Sequence, residues 1–160
     1  MQKNSVQEAL IKSISSVFGI GYSPFLAGTM ASLAGFLLYI FFIRDNRIAH
    51  MVSVLIITFI GFAVSARAEK IFARKDAREI VIDDLNGMLV GLLCVPYSLK
   101  LSILGFIIFR IMDGLKPYPI YKMEKLKGAL GVMGDDLVAG FYTNIALQLF
   151  LWLSAIKFCR

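Results

Sequence analysis

The chain of 160 residues contains one histidine and two cysteines, and only 18% of its residues are charged. Each shortage removes a class of chemistry. His50 lies apart from every acidic cluster in the sequence, so neither a phosphohistidine intermediate nor a Ser-His-Asp triad has its partners. Cys94 sits in an apolar run, where a thiolate is disfavoured, and Cys159 is next to the C-terminus. Neither has metal-type spacing, and a disulfide framework is not expected. A cysteine phosphatase would place an arginine six residues after its nucleophile, but that position after Cys94 is Lys100. No P-loop and no GxGxxG occurs, so no nucleotide-phosphate cradle is present. The N-terminal stretch is interrupted by Lys3, Glu8 and Lys12 and lacks the apolar core of a cleaved signal peptide.

Apolar residues are abundant: 58% of the chain, with a mean hydropathy of +0.75. A soluble domain carries roughly 45–50% apolar and about 25% charged residues. The pattern predicts one all-α domain over 1–160, a polytopic membrane helical bundle. It has about four to five apolar spanning or re-entrant helices, at 25–43, 48–66, 85–96, 98–112 and 137–156. A short amphipathic helix precedes them at 5–18, with Val6, Ala9, Leu10, Ile14, Val17 and Phe18 at helical spacing. The segment 85–96 is too short to span unless its helix begins near Ile80.

The net charge of +6 fits membrane topology and anionic lipid, and no nucleic-acid recognition module is present. With all five segments crossing and the N-terminus inside, the stretches 1–24, 67–84 and 114–136 share one side and hold eleven Lys and Arg. The other side holds Arg44, Arg47, Lys100, Lys157 and Arg160. This bias predicts a cytoplasmic N-terminus. It places Gly28-Thr29, Asp83-Asp84, Lys116 and Asp135-Asp136 together on the cytoplasmic face, and His50 at the opposite interface.

Carboxylates on the borders of apolar segments are costly and ask for a function. Clustered, they grip a hard cation such as Mg²⁺. Glu79 and Asp83, four apart, would share a helix face, with Asp84 projecting about 100° away. Arg110 and Asp113 are likewise on one face. In Lys116-Pro117-Tyr118-Pro119 the first proline favours extended backbone at Lys116 and so aims its ammonium, a cation suited to a phosphate monoester. Asp135 and Asp136 precede an apolar helix and are expected to divide between capping it and holding metal.

Four stretches carry a resemblance: SPFLAGTMASLAG (23–35), IVIDDLNGM (80–88), FRIMDGLKPYPI (109–120) and GALGVMGDDLVAG (128–140). Together they resemble phosphatidylglycerophosphatase A. The resemblance implies an all-helical, magnesium-dependent phosphatase of the cell (inner) membrane. Its substrate would be phosphatidylglycerophosphate, cleaved to phosphatidylglycerol and phosphate in phospholipid biosynthesis. The family's acidic positions fall on Asp83, Asp84, Asp113, Asp135 and Asp136, its basic ones on Arg110 and Lys116, and its Gly-Thr loop on Gly28 and Thr29. The expected roles follow. The aspartates hold one or two Mg²⁺, and Asp84 or Asp135 takes the proton from an attacking water. Lys116 and Arg110 neutralise the phosphate, and Gly28-Thr29 offers it backbone N–H groups. An aspartyl-phosphate route stays open. The family often has Asp-Glu at 83–84, Pro-Gly-Thr at 27–29 and an apolar residue at 134. Two other classes also fit an acidic membrane protein. A CDP-alcohol phosphotransferase would need an aspartate where Arg110 stands, and a cation transporter would place its acids within the apolar segments.

Overall fold

In the computed structural model, which describes residues 2–44, 46–74 and 77–158, seven α-helices account for most of the chain. They are α1 (Gln2–Ser15), α2 (Ala27–Leu38), α3 (Arg47–Phe72), α4 (Ile82–Gly91), α5 (Leu99–Leu115), α6 (Ile120–Met123) and α7 (Ala129–Phe158). A single 3-10 turn, Ile20–Tyr22, follows α1, and α2 runs on through a π-helical turn at Tyr39–Ile43. Among the described residues there is no strand.

The ends of the helices follow from local chemistry. Asn46 caps α3, its side chain accepting the Ala49 N–H at 2.9 Å, and Ala73 closes that helix with a left-handed φ of 52°. Asp83 and Asp84 occupy the first turn of α4, where the helix dipole favours negative charge.

α4 is the axis of the molecule. Eight of its ten residues are buried, Leu85, Met88 and Leu89 among them. They meet Tyr39, Phe109 and Leu147 from α2's extension, α5 and α7 in one core. A helix apolar around most of its circumference belongs inside, which explains the run at 85–96. The neighbours' directions follow from their contacts. Thr58 and His50 of α3 reach Asn86 and the Leu89 carbonyl in turn, so α3 is antiparallel to α4. α5 is antiparallel as well, with Arg110 on Asp84 and Gly105 against Leu92. α7 runs parallel to α4, with Asn144 donating to the Leu93 carbonyl at 2.6 Å. The starts of α2, α4 and α7 and the ends of α3 and α5 therefore share one end of the bundle.

The all-helical expectation holds. Among the described residues two helices are long and apolar enough to cross a membrane, α3 with 26 residues and α7 over Ala129–Ser154. At 1.5 Å per residue each reaches about 39 Å, against a hydrocarbon core of about 30 Å. α2 with its extension, Ala27–Ile43, is apolar but shorter, and α5 has 17 residues. The segment 85–96 is corrected: its helix starts at Ile82 but ends at Gly91, about 15 Å in all, and is enclosed by other helices. An N-terminal helix forms, but over Gln2–Ser15 rather than 5–18: Val17 and Phe18 lie past its end with left-handed φ, Ile11 turns inward, and Val6 and Leu10 are exposed.

Candidate metal centre and active site

α4 and α7 approach closely at Gly87. A Cβ there would lie 2.6 Å from the Asp136 carbonyl and 2.7 Å from the Phe109 ring, so glycine is required. Gly140 is the matching residue on α7 and packs on the Gly87 carbonyl. Asp83 precedes Gly87 by four residues, and Asp136 precedes Gly140 by four. Each carboxylate therefore sits one turn before the crossing, on the facing side. Oxygens of Asp83, Asp84 and Asp136 lie within 4.8 Å of one another. Asp83 and Asp136 are only 7% and 5% exposed.

Like charges gathered out of water are unfavourable. Burial and the charge of Asp113 push the Asp84 carboxyl up to about 6, although Arg110 beside it acts in the opposite sense. A cation would remove that cost. The buried donors are all carboxylate oxygens, the set preferred by hard divalent ions, so Asp83, Asp84 and Asp136 could hold one.

Arg110 fixes Asp84 from the side. Its Nη1 donates to Asp84 Oδ1 at 2.6 Å and to Ser32 Oγ at 3.1 Å, and it pairs with Asp113 at 3.0 Å. The Ser32 hydroxyl accepts from Arg110 and has one proton, which reaches the Gly28 carbonyl at 2.9 Å or Asp84 Oδ1 at 3.4 Å. Gly28 backs directly on the Asp84 carboxylate, where a Cβ would come within 2.5 Å of Oδ2. Across the site, Lys116 Nζ donates to Asp135 Oδ2 at 3.0 Å and lies 3.4 Å from Glu124. Burial works to lower the Lys116 pKa, but its hydrogen bond to Asp135 and the charges of Asp135, Glu124 and Asp113 outweigh it. The ammonium is held above its ordinary value and stays charged.

All five aspartates line a single cavity of about 460 Å³, together with Gly28, Arg78 and Lys116. Arg110 and Thr29 are not part of its lining. Arg110 reaches the site through Asp84, and Thr29 lies in the first turn of α2. Asp113 and Asp135 stand outside the close triad, each paired with a cation.

Several expectations need correction. Glu79 precedes α4, so it shares no helix face with Asp83. It pairs instead with Arg74 at 2.8 Å. Asp135 and Asp136 cap nothing, because α7 begins at Ala129 and both lie in its second turn. Lys116 is not extended. It ends α5 in the left-handed region, φ 44° and ψ 58°, its N–H bonded to the Met112 carbonyl. His50 is not on an interfacial surface. It is 4% exposed and bonds the Leu89 carbonyl at 2.9 Å.

Sequence reasoning missed Ser32 and Arg78. Ser32 follows Gly28 by four residues, a spacing that signals one helix face. Arg78 holds the loop before α2, donating to the Ser23 and Pro24 carbonyls at 3.0 and 3.3 Å. No local pattern announces that contact.

The sequence model of the family phosphatidylglycerophosphatase A matches residues 13–151. The chain belongs to this family. Relatives named phosphatidylglycerophosphatase A occur in Escherichia coli K12, 36% identical over 77% of this chain and 73% of the relative, and in Haemophilus influenzae, 30% identical over 81% and 82%. A Bacteroides thetaiotaomicron protein named "Putative phosphatidylinositol-3-phosphatase" is 33% identical over 87% of this chain and 92% of its own length. No solved structure matches the chain. Membership in the phosphatidylglycerophosphatase A family makes the chain a phosphatase and sets aside the phosphotransferase and transporter alternatives.

Proposed function

We propose that this phosphatase removes the terminal phosphate of phosphatidylglycerophosphate, using Mg²⁺ held by Asp83, Asp84 and Asp136, and so supplies phosphatidylglycerol for membrane lipid. The observation that carries this reading is the convergence of three buried carboxylates in a cavity that also holds the Lys116 ammonium. Bound there, Mg²⁺ would polarise the phosphoryl group and acidify an attacking water.

The chain's own residues do the rest. Lys116 meets the charge on the phosphoryl oxygens. Asp135, within hydrogen-bond reach of Lys116 and lining the cavity, accepts the proton of the water as its oxygen bonds to phosphorus. The bond from phosphorus to the glycerol oxygen breaks, and that oxygen is protonated from solvent. Arg110 keeps Asp84 aimed and balances part of the site's negative charge. The first-turn amides of α2, at Gly28 and Thr29, have no acceptor within their helix and favour an anion nearby.

The cavity lies at the bundle end that carries most of the basic loop residues, which supports a cytoplasmic-face site in a multi-pass protein of the cell membrane. The Bacteroides relative supports a second reading, in which the monoester is a 3-phosphoinositide. Phosphate release from the two lipids, measured side by side with purified protein and Mg²⁺, separates them. Phosphatidylglycerophosphate is expected to have the higher kcat/KM. Turnover of phosphatidylinositol 3-phosphate alone would replace the first reading with the second.

A further inference from the structure

The loop between α1 and α2 presents apolar side chains outward at the end of the bundle that holds the acidic cavity. Phe18 is 88% exposed, Phe25 79% and Leu26 75%. The outer faces of α3 and α7 also expose apolar residues, as spans do, but this segment is not a regular helix. Its backbone is unusual. Val17, Phe18 and Leu26 have φ values of 49°, 54° and 49°, in the left-handed region that L side chains rarely adopt. Such conformations persist only where surrounding contacts impose them, and they gather where function needs a fixed shape. The contacts are present. Gly21 N–H bonds the Ser16 carbonyl, Val81 N–H bonds the Ser15 carbonyl, and Arg78 grips the carbonyls of Ser23 and Pro24. The chain is thus held in a conformation that keeps Phe18 and Phe25 in the open.

This loop borders two spaces of opposite character. Pro24 and Leu26 line the acidic cavity. Val17 and Phe18 line a recess of about 300 Å³ whose remaining walls are all apolar, including Leu38, Ile57, Ile82 and Leu85. Its walls come from Phe18 in the loop, Ile82 and Leu85 at the start of α4, and Ile57 and Ile60 midway along α3. The recess offers no polar partner to a ligand, and only hydrocarbon suits it.

The geometry points to the 17–26 loop as the acyl-chain platform of the enzyme: a lipid phosphate in the acidic cavity passes its glycerol over Pro24 and Leu26 and lays an acyl chain across Phe25 and along the recess beside Phe18. The inference rests on the lipid-phosphatase reading and adds how the lipid, rather than its headgroup alone, is recognised. The recess takes the acyl chain of the bound substrate, because the loop that borders the recess also lines the cavity.

Phe18→Asn with Phe25→Ser tests it. Both side chains are nearly fully exposed, so their loss removes little internal packing, and asparagine tolerates the left-handed backbone at 18. Initial rates are compared in detergent on phosphatidylglycerophosphate with long chains and on the same glycerol-linked phosphate monoester without chains. The double variant is expected to lose on the order of tenfold in kcat/KM on the long-chain lipid, through KM, and to keep the wild-type rate on the chain-free ester. An equal fall on both, or no fall on either, overturns the proposal. A second measurement does not depend on turnover. In the Phe25→Trp, Trp152→Phe variant, fluorescence should be quenched more by a phosphate-bearing lipid with brominated chains than by the same lipid without phosphate. Equal quenching would mean general bilayer contact and overturns the substrate assignment. A wild-type protein inactive on both esters but with selective quenching would sink the substrate reading and leave the platform standing.

Discussion

At the scale of single residues, Ser32 shows how the site is kept in order. Its hydroxyl joins Gly28 to Arg110, and Arg110 joins Asp84 to Asp113. Partners of ligands orient them, and their loss typically weakens metal affinity or activity by about 10–100-fold. Ser32→Ala is expected to raise the half-saturating Mg²⁺ concentration on the order of tenfold while kcat at saturating Mg²⁺ falls less. Ser32→Thr should restore most of the affinity. A lowered melting temperature with an unchanged Mg²⁺ requirement would mean that Ser32 only packs. The carboxyl of Asp84 adds a pH dependence. Its value rises on folding from 3.8 to about 6 without metal, so the folded state holds the proton more tightly than the unfolded one. Its contribution to stability therefore declines as pH rises from about 4 to about 6, and is lowest above that range. Cation binding displaces the proton and opposes the loss. The rise in Tm on adding Mg²⁺ should be larger at about pH 7.5 than at about pH 5. Equal rises at the two values would count against Asp84 as a ligand.

At the scale of elements, the close approach of α4 and α7 decides whether the two halves of the centre meet. Gly87→Ala adds one methyl, yet that methyl would press on backbone at Asp136, which cannot rotate away. Overpacking of this kind costs about 1–3 kcal/mol. The expected result is a lower Tm together with weaker Mg²⁺ affinity, read as a higher half-saturating Mg²⁺ concentration, because Asp136 is moved relative to Asp83. Unchanged Mg²⁺ affinity in Gly87→Ala would show that the crossing does not set the metal geometry. Much of this was legible in the sequence. The aspartates at 83–84 and 135–136 were read there as candidate metal ligands; the glycines four residues after Asp83 and after Asp136, which mark the crossing itself, went unread. What stayed hidden came from long-range packing. The start of α7 at Ala129 could not be read from a stretch with Gly128, Gly131 and Gly134, since glycines there looked like a loop. They are tolerated because other chain segments lie close, as the Leu126 backbone does at Gly131. Lys116 misled for a similar reason: the rule for residues before proline favours extended backbone, but the end of α5 imposes a left-handed turn. His50 looked interfacial by hydropathy because its partner is a backbone carbonyl 39 residues away.

At the scale of the whole molecule, a short helix with a charged start is surrounded by longer apolar ones. α4 carries Asp83 and Asp84 at its start and apolar side chains along most of its length. Such a helix is stable where its neighbours cover the apolar part and a cation neutralises the charged end. Family membership makes the chain a phosphatase, the fold gathers five aspartates at one end, and the central claim is that three of them hold the metal that makes it work. The most direct test is phosphate release from phosphatidylglycerophosphate by the purified protein, with Mg²⁺ or with EDTA, for wild type, Asp84→Asn and Asp136→Asn. The expected result is Mg²⁺-dependent release by the wild type and a loss on the order of a hundredfold or more in each variant, at unchanged detergent and protein concentration. Release that continues in EDTA, or full activity in Asp84→Asn, would contradict it.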